Sequence, residues 1–169
     1  MPPQQPRGRS PMSVRASDIP PTETTDTRSA AAVGDLSSHV GYFGAHHIAV
    51  ICADLERAMD FYQGVLDLPI NPDRPEEKLP YRGAWLWVGT EMIHLMELPN
   101  PDPVDMSERP AHGGRDRHSC FAVANLQPLA DSLDKHGIPY TMSKSGRAAL
   151  FTRDPDSNTL EFVQMAPWR

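Results

Sequence analysis

Hydrophobic and polar positions follow the same order twice along the chain. Each half opens with a short apolar, β-rich run that begins near a histidine, continues with apolar residues at helical spacing, and ends in three further apolar runs. The first half predicts a strand over 46–52, a helix over 55–66, and strands near 68–71, over 84–88 and over 92–98. The second half predicts a strand over 118–123, a helix ending at His136, and strands over 139–142, 148–153 and 159–165.

Capping and turn residues support these boundaries. Asp54 and Asn125 stand where each helix begins and can cap its free N–H groups. Gly137 follows the second helix, where a left-handed residue commonly ends one. The pair Gly89-Thr90 predicts a hairpin between the last two strands of the first half, and a polar turn at 154–158 occupies the matching place in the second.

The fold class predicted by this pattern is α+β, with two βαβββ modules in one chain. His47 and His118 open the matching strands and are 71 residues apart, so the period is too long for a solenoid repeat. The expected domain covers 44–166, with one module at 46–98, a linker at 99–116 and a second module at 117–165. Each module has one apolar sheet face, which must be buried against the other module or around a shared cavity.

Residues 1–43 differ from the rest of the chain. They are rich in Pro, Ser and Thr and lack apolar periodicity, so we expect a disordered tail. The first 17 residues contain arginines and no acidic residue before Asp18, which leaves a transit peptide open.

Charge and cysteine content exclude several classes of partner. The chain has a net charge of −6, and the charges of the tail cancel, so the folded part is acidic. An acidic domain is not expected to bind nucleic acid or an anionic membrane, and no apolar run is long enough to cross a bilayer. The two cysteines, Cys52 and Cys120, lie in apolar runs and are expected to be small buried residues in a cytoplasmic protein.

Four polar residues occupy symmetric positions inside apolar strands. His47 and His118 open the first strand of each module, and His94 and Glu161 lie in the last strand of each. Each histidine alone is more often a hydrogen-bonded residue than a ligand. A carboxylate between Leu160 and Phe162 is costly to bury unless it is paired or metal-bound. The joint coincidence predicts that His47, His94, His118 and Glu161 converge on one metal ion.

Imidazole and carboxylate ligands suit a divalent ion such as Zn, Ni, Fe(II), Co or Mn. Four protein ligands on an octahedral ion leave two positions open for neighbouring oxygens of a small-molecule substrate, and a ligating Glu could act as a base. Trp85 and Trp87 share a strand face and pack in the core or a dimer interface, or else stack on a planar ligand. Several arginines precede strands and could bind a substrate carboxylate, although most are expected to be surface charges: Arg82, Arg115, Arg117 and Arg147.

The sequence resembles the vicinal oxygen chelate superfamily, which includes glyoxalase I, fosfomycin resistance proteins and extradiol dioxygenases. The segments that carry the resemblance lie between residues 46 and 165: HHIAVICADLERAMDFYQGVLDL, GAWLWVGTEMIHLMEL, RHSCFAVANL and ALFTRDPDSNTLEFVQ. The resemblance implies the glyoxalase/bleomycin resistance/dihydroxybiphenyl dioxygenase fold, with metal ligands at His47, His94, His118 and Glu161. It also implies a homodimer, because the site of such proteins is often built between modules of two chains.

The resemblance to glyoxalase I implies a lactoylglutathione lyase activity, a carbon–sulfur lyase reaction in which Glu161 is both ligand and proton-shuttling base. Glyoxalase I normally has Glu or Gln where this chain has His94. The alternatives are an extradiol dioxygenase-like or other metalloenzyme, with His47, His118 and Glu161 as its iron ligands, and a non-enzymatic module that binds a small ligand.

Overall fold

The computed structural model describes residues 44–102 and 105–166. The prediction of a disordered tail over 1–43 lies outside the described residues. The first module is built as predicted, with small shifts at the element ends. Its elements are strand β1 (His47–Cys52), helix α1 (Leu55–Met59) continued by a π-helical segment (Asp60–Val65), and strands β2 (Ile70–Asn71), β3 (Gly83–Val88) and β4 (Glu91–Glu97).

The second module repeats this order. Its elements are strand β5 (His118–Val123), helix α2 (Gln127–Lys135), and strands β6 (Tyr140–Met142), β7 (Ala149–Arg153) and β8 (Thr159–Gln164). Short 3-10 turns lie outside these elements, one in the first module and two in the linker: Glu76–Lys78, Met106–Glu108 and Gly113–Arg115. Among the described residues, no helix has the length and apolar character needed to span a membrane.

Both helices begin next to the polar residue that the sequence singles out. The Asp54 carboxylate accepts a hydrogen bond from the Arg57 backbone N–H at 2.8 Å and caps α1. The N-cap of α2 is Leu126 rather than Asn125. Asn125 Oδ1 accepts from the Gln127 backbone N–H at 3.0 Å, so it binds the first helical residue from one position before the N-cap.

The two sheets have the same strand order and the same register. The order is β1-β4-β3-β2 in the first sheet and β5-β8-β7-β6 in the second, with the first and last strands of each module parallel. Ala49, two residues after His47, lies opposite His94. Cys120, two residues after His118, lies opposite Glu161. The predicted α+β fold of two βαβββ modules is therefore confirmed, and the repeat holds to the residue.

One apolar core joins the two modules. Alternate residues of the strands turn toward this core, and the helices add their apolar sides to it. The face of each sheet opposite this core is called here the outer face. The fully or nearly fully buried residues of the core come from both halves: Cys52, Ala58, Tyr62, Leu86, Ile93 and Leu95, and Leu126, Ala130, Leu133, Leu150 and Leu160.

Polar contacts between the modules converge on the turn between β7 and β8. Asp156 Oδ1 accepts from the Ala53 backbone N–H at 3.1 Å, and Asn158 Nδ2 donates to the Ile51 carbonyl at 3.1 Å. The Tyr62 hydroxyl, which is fully buried, donates to Asp154 Oδ2 at 2.9 Å. A buried hydroxyl without a partner is costly, so this turn is part of the structure of the first module as well as the second.

Candidate metal centre

The first module stacks three flat rings across three neighbouring strands. His94 on β4 lies between His47 on β1, with ring centroids 4.0 Å apart, and Trp85 on β3, at 4.2 Å. The rings are within 10° of parallel. All three side chains are on the outer face, since Leu86, Ile93 and Leu95 beside them point into the core. The stack fixes the plane of the His94 ring.

His94 has a buried ring nitrogen that makes no hydrogen bond with any described residue. Its Nε2 has no hydrogen-bond partner among the described residues. Burial lowers the pKa of His94 to about 4, and the neighbouring imidazoles and Arg74 act in the same direction. The ring is therefore neutral near pH 7, which is the form that donates an electron pair to a metal.

His47 differs from the expectation in one respect. The predicted strand over 46–52 would place His46 and His47 on opposite faces, but their Nδ1 atoms are 2.8 Å apart and their rings meet edge to face. β1 starts at His47, so His46 lies before the strand and does not follow its alternation.

The second module pairs His118 with Glu161. His118 Nε2 lies 3.0 Å from Glu161 Oε2, and His118 Nδ1 lies 2.8 Å from the Asp116 backbone carbonyl. Because a carbonyl only accepts, Nδ1 must carry a hydrogen. In a neutral ring, Nε2 then presents a lone pair to a carboxylate oxygen. A proton on the ring or on the carboxyl group, or a cation that both atoms bind, makes this contact favourable.

Glu161 also accepts a hydrogen bond from an arginine. The residue is only 4% exposed, and its Oε1 accepts a hydrogen bond from Arg147 Nη2 at 3.1 Å. The guanidinium offsets part of the cost of burying this carboxylate. Of the other candidate arginines, Arg82 pairs with Glu56 and Glu97, and Arg117 pairs with Asp102 at 2.7 Å. Arg147 is thus the predicted arginine that reaches a candidate ligand.

The four candidate ligands form two pairs in a single chain. His47 and His94 lie on the outer face of the first sheet, and His118 and Glu161 on that of the second. Within the part of the chain that the structure describes, no group of three or more His, Cys, Asp or Glu side chains could hold a metal ion. The convergence of all four residues on one metal ion stays a prediction. One chain supplies two separate pairs of candidate ligands for such a site.

The donor atoms fit a divalent metal. Imidazole and carboxylate are ligand types that divalent metals accept, the buried Nε2 of His94 has no hydrogen-bond partner among the described residues, and His118 Nε2 lies 3.0 Å from Glu161 Oε2. A cavity of about 230 Å³ lies beside His118, lined by β1 and β5 residues such as Ile48 and Ser119 and by Asp102 of the linker. The second pair therefore has space for a small ligand beside His118.

The two cysteines have different environments. Cys52 is fully buried, and burial raises the pKa of its thiol to about 11, with nearby carboxylates adding to the shift. Cys120 was expected to be buried as well, but it is exposed. Cys120 is two residues after His118 in β5, so both side chains lie on the outer face. The next residue, Phe121, points to the opposite face and is part of the core.

Sequence reasoning missed Arg74, whose side chain is 3% exposed and whose charge acts on His94. It lies in the polar stretch between β2 and β3, where an arginine is ordinarily a surface residue. The dense Pro and charged residues around it (NPDRPEEKLP) predict turns and give no sign of burial.

Comparisons with known proteins agree with the fold. The family model described as Glyoxalase/Bleomycin resistance protein/Dioxygenase superfamily matches residues 44–162. The chain therefore belongs to this superfamily. It is 30% identical over 121 residues to Glyoxylase I 4 of Arabidopsis thaliana, a match that covers 69% of this chain and 67% of that protein.

Solved structures show the same fold. A lactoylglutathione lyase from Agrobacterium tumefaciens is 23% identical with a TM-score of 0.52, over 73% of this chain and 94% of that one. A point mutant of the fosfomycin resistance protein FosX from Listeria monocytogenes is 16% identical with a TM-score of 0.57, over 74% and 94%. That FosX structure is a complex with Mn(II) and dihydroxypropylphosphonic acid.

Proposed function

We propose that the protein is a metal-dependent enzyme of the glyoxalase I type, a lyase that moves a proton on a small substrate chelated through neighbouring oxygens. The observation that carries the proposal is the His118–Glu161 pair, in which the imidazole Nε2 lies 3.0 Å from a buried carboxylate oxygen while the far ring nitrogen, Nδ1, faces the Asp116 carbonyl. The homology to Glyoxylase I 4 supports the choice of reaction.

The metal ligands in this proposal are His47, His94, His118 and Glu161. A nitrogen-rich set with one carboxylate suits Zn, Ni, Fe(II), Co or Mn. When bound, such an ion polarises the chelated oxygens of the substrate as a Lewis acid. The Mn(II) in the FosX complex supports a divalent ion of this group.

Glu161 is the base in this proposal. Arg147 occupies Oε1 of its carboxylate, so Oε2 is the oxygen that would take and return the proton. The Asp116 carbonyl fixes the orientation of the His118 ring beside it, as a second partner of a ligating histidine usually does. The stack of His47, His94 and Trp85 restricts the first pair in the same way.

The active unit in this proposal is a homodimer in the cytoplasm. Each chain offers two half-sites, the His47–His94 pair and the His118–Glu161 pair, and two chains related by a twofold axis could bring the first half-site of one against the second half-site of the other. The two cysteines form no disulfide with each other, which fits a reducing compartment.

Elemental analysis of the dialysed protein tests the site. We expect one divalent ion per pair of half-sites, and a loss of affinity of about tenfold or more in His118→Ala and Glu161→Ala. His136→Ala is the control, because His136 lies at the exposed end of α2 and its Nδ1 contacts the Ser132 carbonyl. Full metal content in both site variants would refute the ligand assignment.

A methylglyoxal–glutathione assay with Ni and Zn tests the reaction. Turnover that disappears in Glu161→Gln supports the lyase. No turnover with either ion, in protein shown to contain metal, would refute it. Oxygen-dependent activity with a catechol under the same conditions would favour a dioxygenase.

A further inference from the structure

His46 stands immediately before the first candidate ligand, and both its backbone and its ring make contacts there. Its backbone carbonyl accepts a hydrogen bond from the Met92 N–H of β4 at 3.3 Å, one residue before β1 begins at His47. Its ring meets the His47 ring edge to face, with the centroids 5.2 Å apart and the planes at 80°. The bond to β4 therefore fixes the backbone from which this ring reaches His47, although His46 is an exposed residue.

The contact between these two rings is a hydrogen bond that has a direction. The Nδ1 atoms of His46 and His47 are 2.8 Å apart, which is hydrogen-bonding distance. In two neutral rings, one of these nitrogens carries the hydrogen and the other accepts it. If His46 donates, the hydrogen of His47 is on Nε2, and that atom has no lone pair for a metal. If His47 donates, its Nε2 is free to bind one. The direction of this bond therefore decides whether Nε2 of His47 can be a metal ligand.

The stack in the first module does not by itself orient the His47 ring. The rings of His47 and His94 are 4.0 Å apart and within 10° of parallel, which fixes the plane of the His47 ring. A half-turn about its Cβ–Cγ bond would keep that plane and exchange the two edges of the ring. Only one of these two orientations places Nδ1 against His46. His46 therefore selects the edge of the ring, while His94 selects the plane.

The second module has the same arrangement with the direction already decided. His118 opens β5 as His47 opens β1, and its Nδ1 lies 2.8 Å from the Asp116 carbonyl. A carbonyl only accepts, so His118 donates from Nδ1, and its Nε2 faces the Glu161 carboxylate at 3.0 Å. In both modules, the histidine that opens the strand has Nδ1 against a group that lies just before that strand.

We propose that His46 is a positioning residue of the first half-site, which accepts the Nδ1 hydrogen of His47 and so presents His47 Nε2 to the metal. This role rests on the proposed function for the assignment of His47 as a ligand. Ligating histidines commonly give their other ring hydrogen to an acceptor, and loss of such a partner lowers metal affinity by about ten- to a hundredfold. His46 itself does not bind the metal in this arrangement.

The tautomers of the rings test the direction of the hydrogen bond in protein without metal. In metal-free, ¹⁵N-labelled, full-length protein at an alkaline pH where imidazole is neutral, long-range ¹H–¹⁵N correlations show which ring nitrogen carries the hydrogen. Single histidine substitutions assign the signals. We expect the hydrogen on Nδ1 in His47 and His118, and on Nε2 in His46. A hydrogen on Nε2 of His47 would overturn the proposal.

Two substitutions of His46 separate positioning from direct ligation. His46→Ala removes the acceptor, whereas His46→Asn keeps one, because the amide oxygen can take the place of Nδ1. Zinc affinity, measured by competition with a chromophoric chelator, is expected to fall about tenfold or more in His46→Ala and to return close to wild type in His46→Asn. His136→Ala, a change at the exposed end of α2, is the control and should keep full affinity. Full affinity in His46→Ala, or an equal loss in both variants, would overturn the proposal.

These measurements distinguish failure of this role from failure of the proposed function. Wild-type protein that binds zinc while His47 carries its hydrogen on Nε2 refutes the role of His46 alone. Wild-type protein that binds no zinc, nickel or manganese refutes the metal-dependent function, and with it the role of His46, whatever the tautomer of His47.

Discussion

Gly83 has no room for a side chain. A Cβ there would overlap the Leu95 carbonyl oxygen, a backbone atom of the neighbouring strand, and would stand 3.2 Å from Arg74 Nη2. The strand atom cannot move aside without disturbing the β3–β4 ladder. Gly83→Ala is therefore expected to lower the free energy of unfolding by about 1–3 kcal/mol, measured by urea denaturation.

Gly64 is the matched control for this substitution. It lies in the helical segment after α1, with nothing within 4 Å of the position that an added methyl group would take and no positive φ. Gly64→Ala is expected to be neutral or to stabilise by about 0.5 kcal/mol, through the lower entropy of the unfolded chain. If both variants lost the same stability, the cost would come from glycine in general, and the contact at Leu95 would not be its cause.

Residue-level expectations succeeded where a local rule decides the outcome. Strand alternation and the repeat placed His94 and Glu161 at equivalent registers, and the polar residue before each helix bonds its first turn. These expectations failed where the burial of a residue depends on groups that are distant in the sequence. Cys120 lies in an apolar run yet is exposed, and Arg74 lies in a polar loop yet is buried beside Gly83. Neither fact is encoded in neighbouring residues.

At the level of elements, the linker is tied to the second module by a buried ion cluster. The Asp116 carboxylate lies 2.9 Å from Arg109 Nε and 2.7 Å from Arg153 Nη1, with the three side chains between 8% and 15% exposed. Burial alone would raise the pKa of Asp116, but the hydrogen bonds from Arg153 and Arg109 outweigh it and hold the pKa at about 2. The same residue orients His118 through its carbonyl.

This cluster predicts a pH dependence of stability. A folded pKa of about 2 lies below the unfolded value of about 4, so the ion cluster stabilises the fold above pH 4 and loses that effect as the pH falls to 2. Asp116→Asn should cost about 3 kcal/mol at pH 7, because it leaves two buried guanidinium groups without their anion. The difference in free energy of unfolding between Asp116→Asn and the wild type should then become smaller between pH 4 and pH 2.

Urea denaturation at several pH values checks this expectation, with Asp60→Asn as the control at an exposed aspartate on the helical segment. A gap that stays constant down to pH 2 would mean that the charge of Asp116 does not stabilise the fold.

The helical segment after Asp54 illustrates a limit of pattern reading. Apolar spacing predicted a single helix over 55–66, and the chain does continue helically to Val65, but the second half is π-helical, with the Leu66 N–H bonded to the Phe61 carbonyl at 3.0 Å. Phe61, Tyr62 and Val65 all reach the core from this wider turn. Apolar spacing over one or two turns does not distinguish the two helix types, and the packing of these three side chains decides between them.

For the whole molecule, the candidate ligands form two pairs that do not come together among the described residues of one chain, so the proposed dimer makes a prediction about mixtures. If the half-sites meet across a twofold axis, a mixture of His94→Ala and His118→Ala chains must rebuild some sites. A mixed dimer has one site with both defects and one site with neither. Random exchange makes about half of the dimers mixed, so about a quarter of the wild-type metal content is expected to return, although neither variant binds metal alone.

A mixture of His94→Ala and His47→Ala chains is the control. Both changes are in the first half-site, so no combination of the two chains contains an intact site. Metal content is measured after exchange, and sedimentation gives the oligomeric state. Absence of recovery in the first mixture, with mixed dimers shown to form, would place the four ligands in one chain.

The dependence of the first module on the turn between β7 and β8 has a consequence for synthesis of the protein. The ribosome completes β1 to β4 at Glu97, yet the partners of Ala53, Ile51 and Tyr62 follow only at residues 154–158. A nascent chain that has just finished its first half must leave these groups to water or to a chaperone. Maturation of the first half therefore awaits translation of residues 154–158.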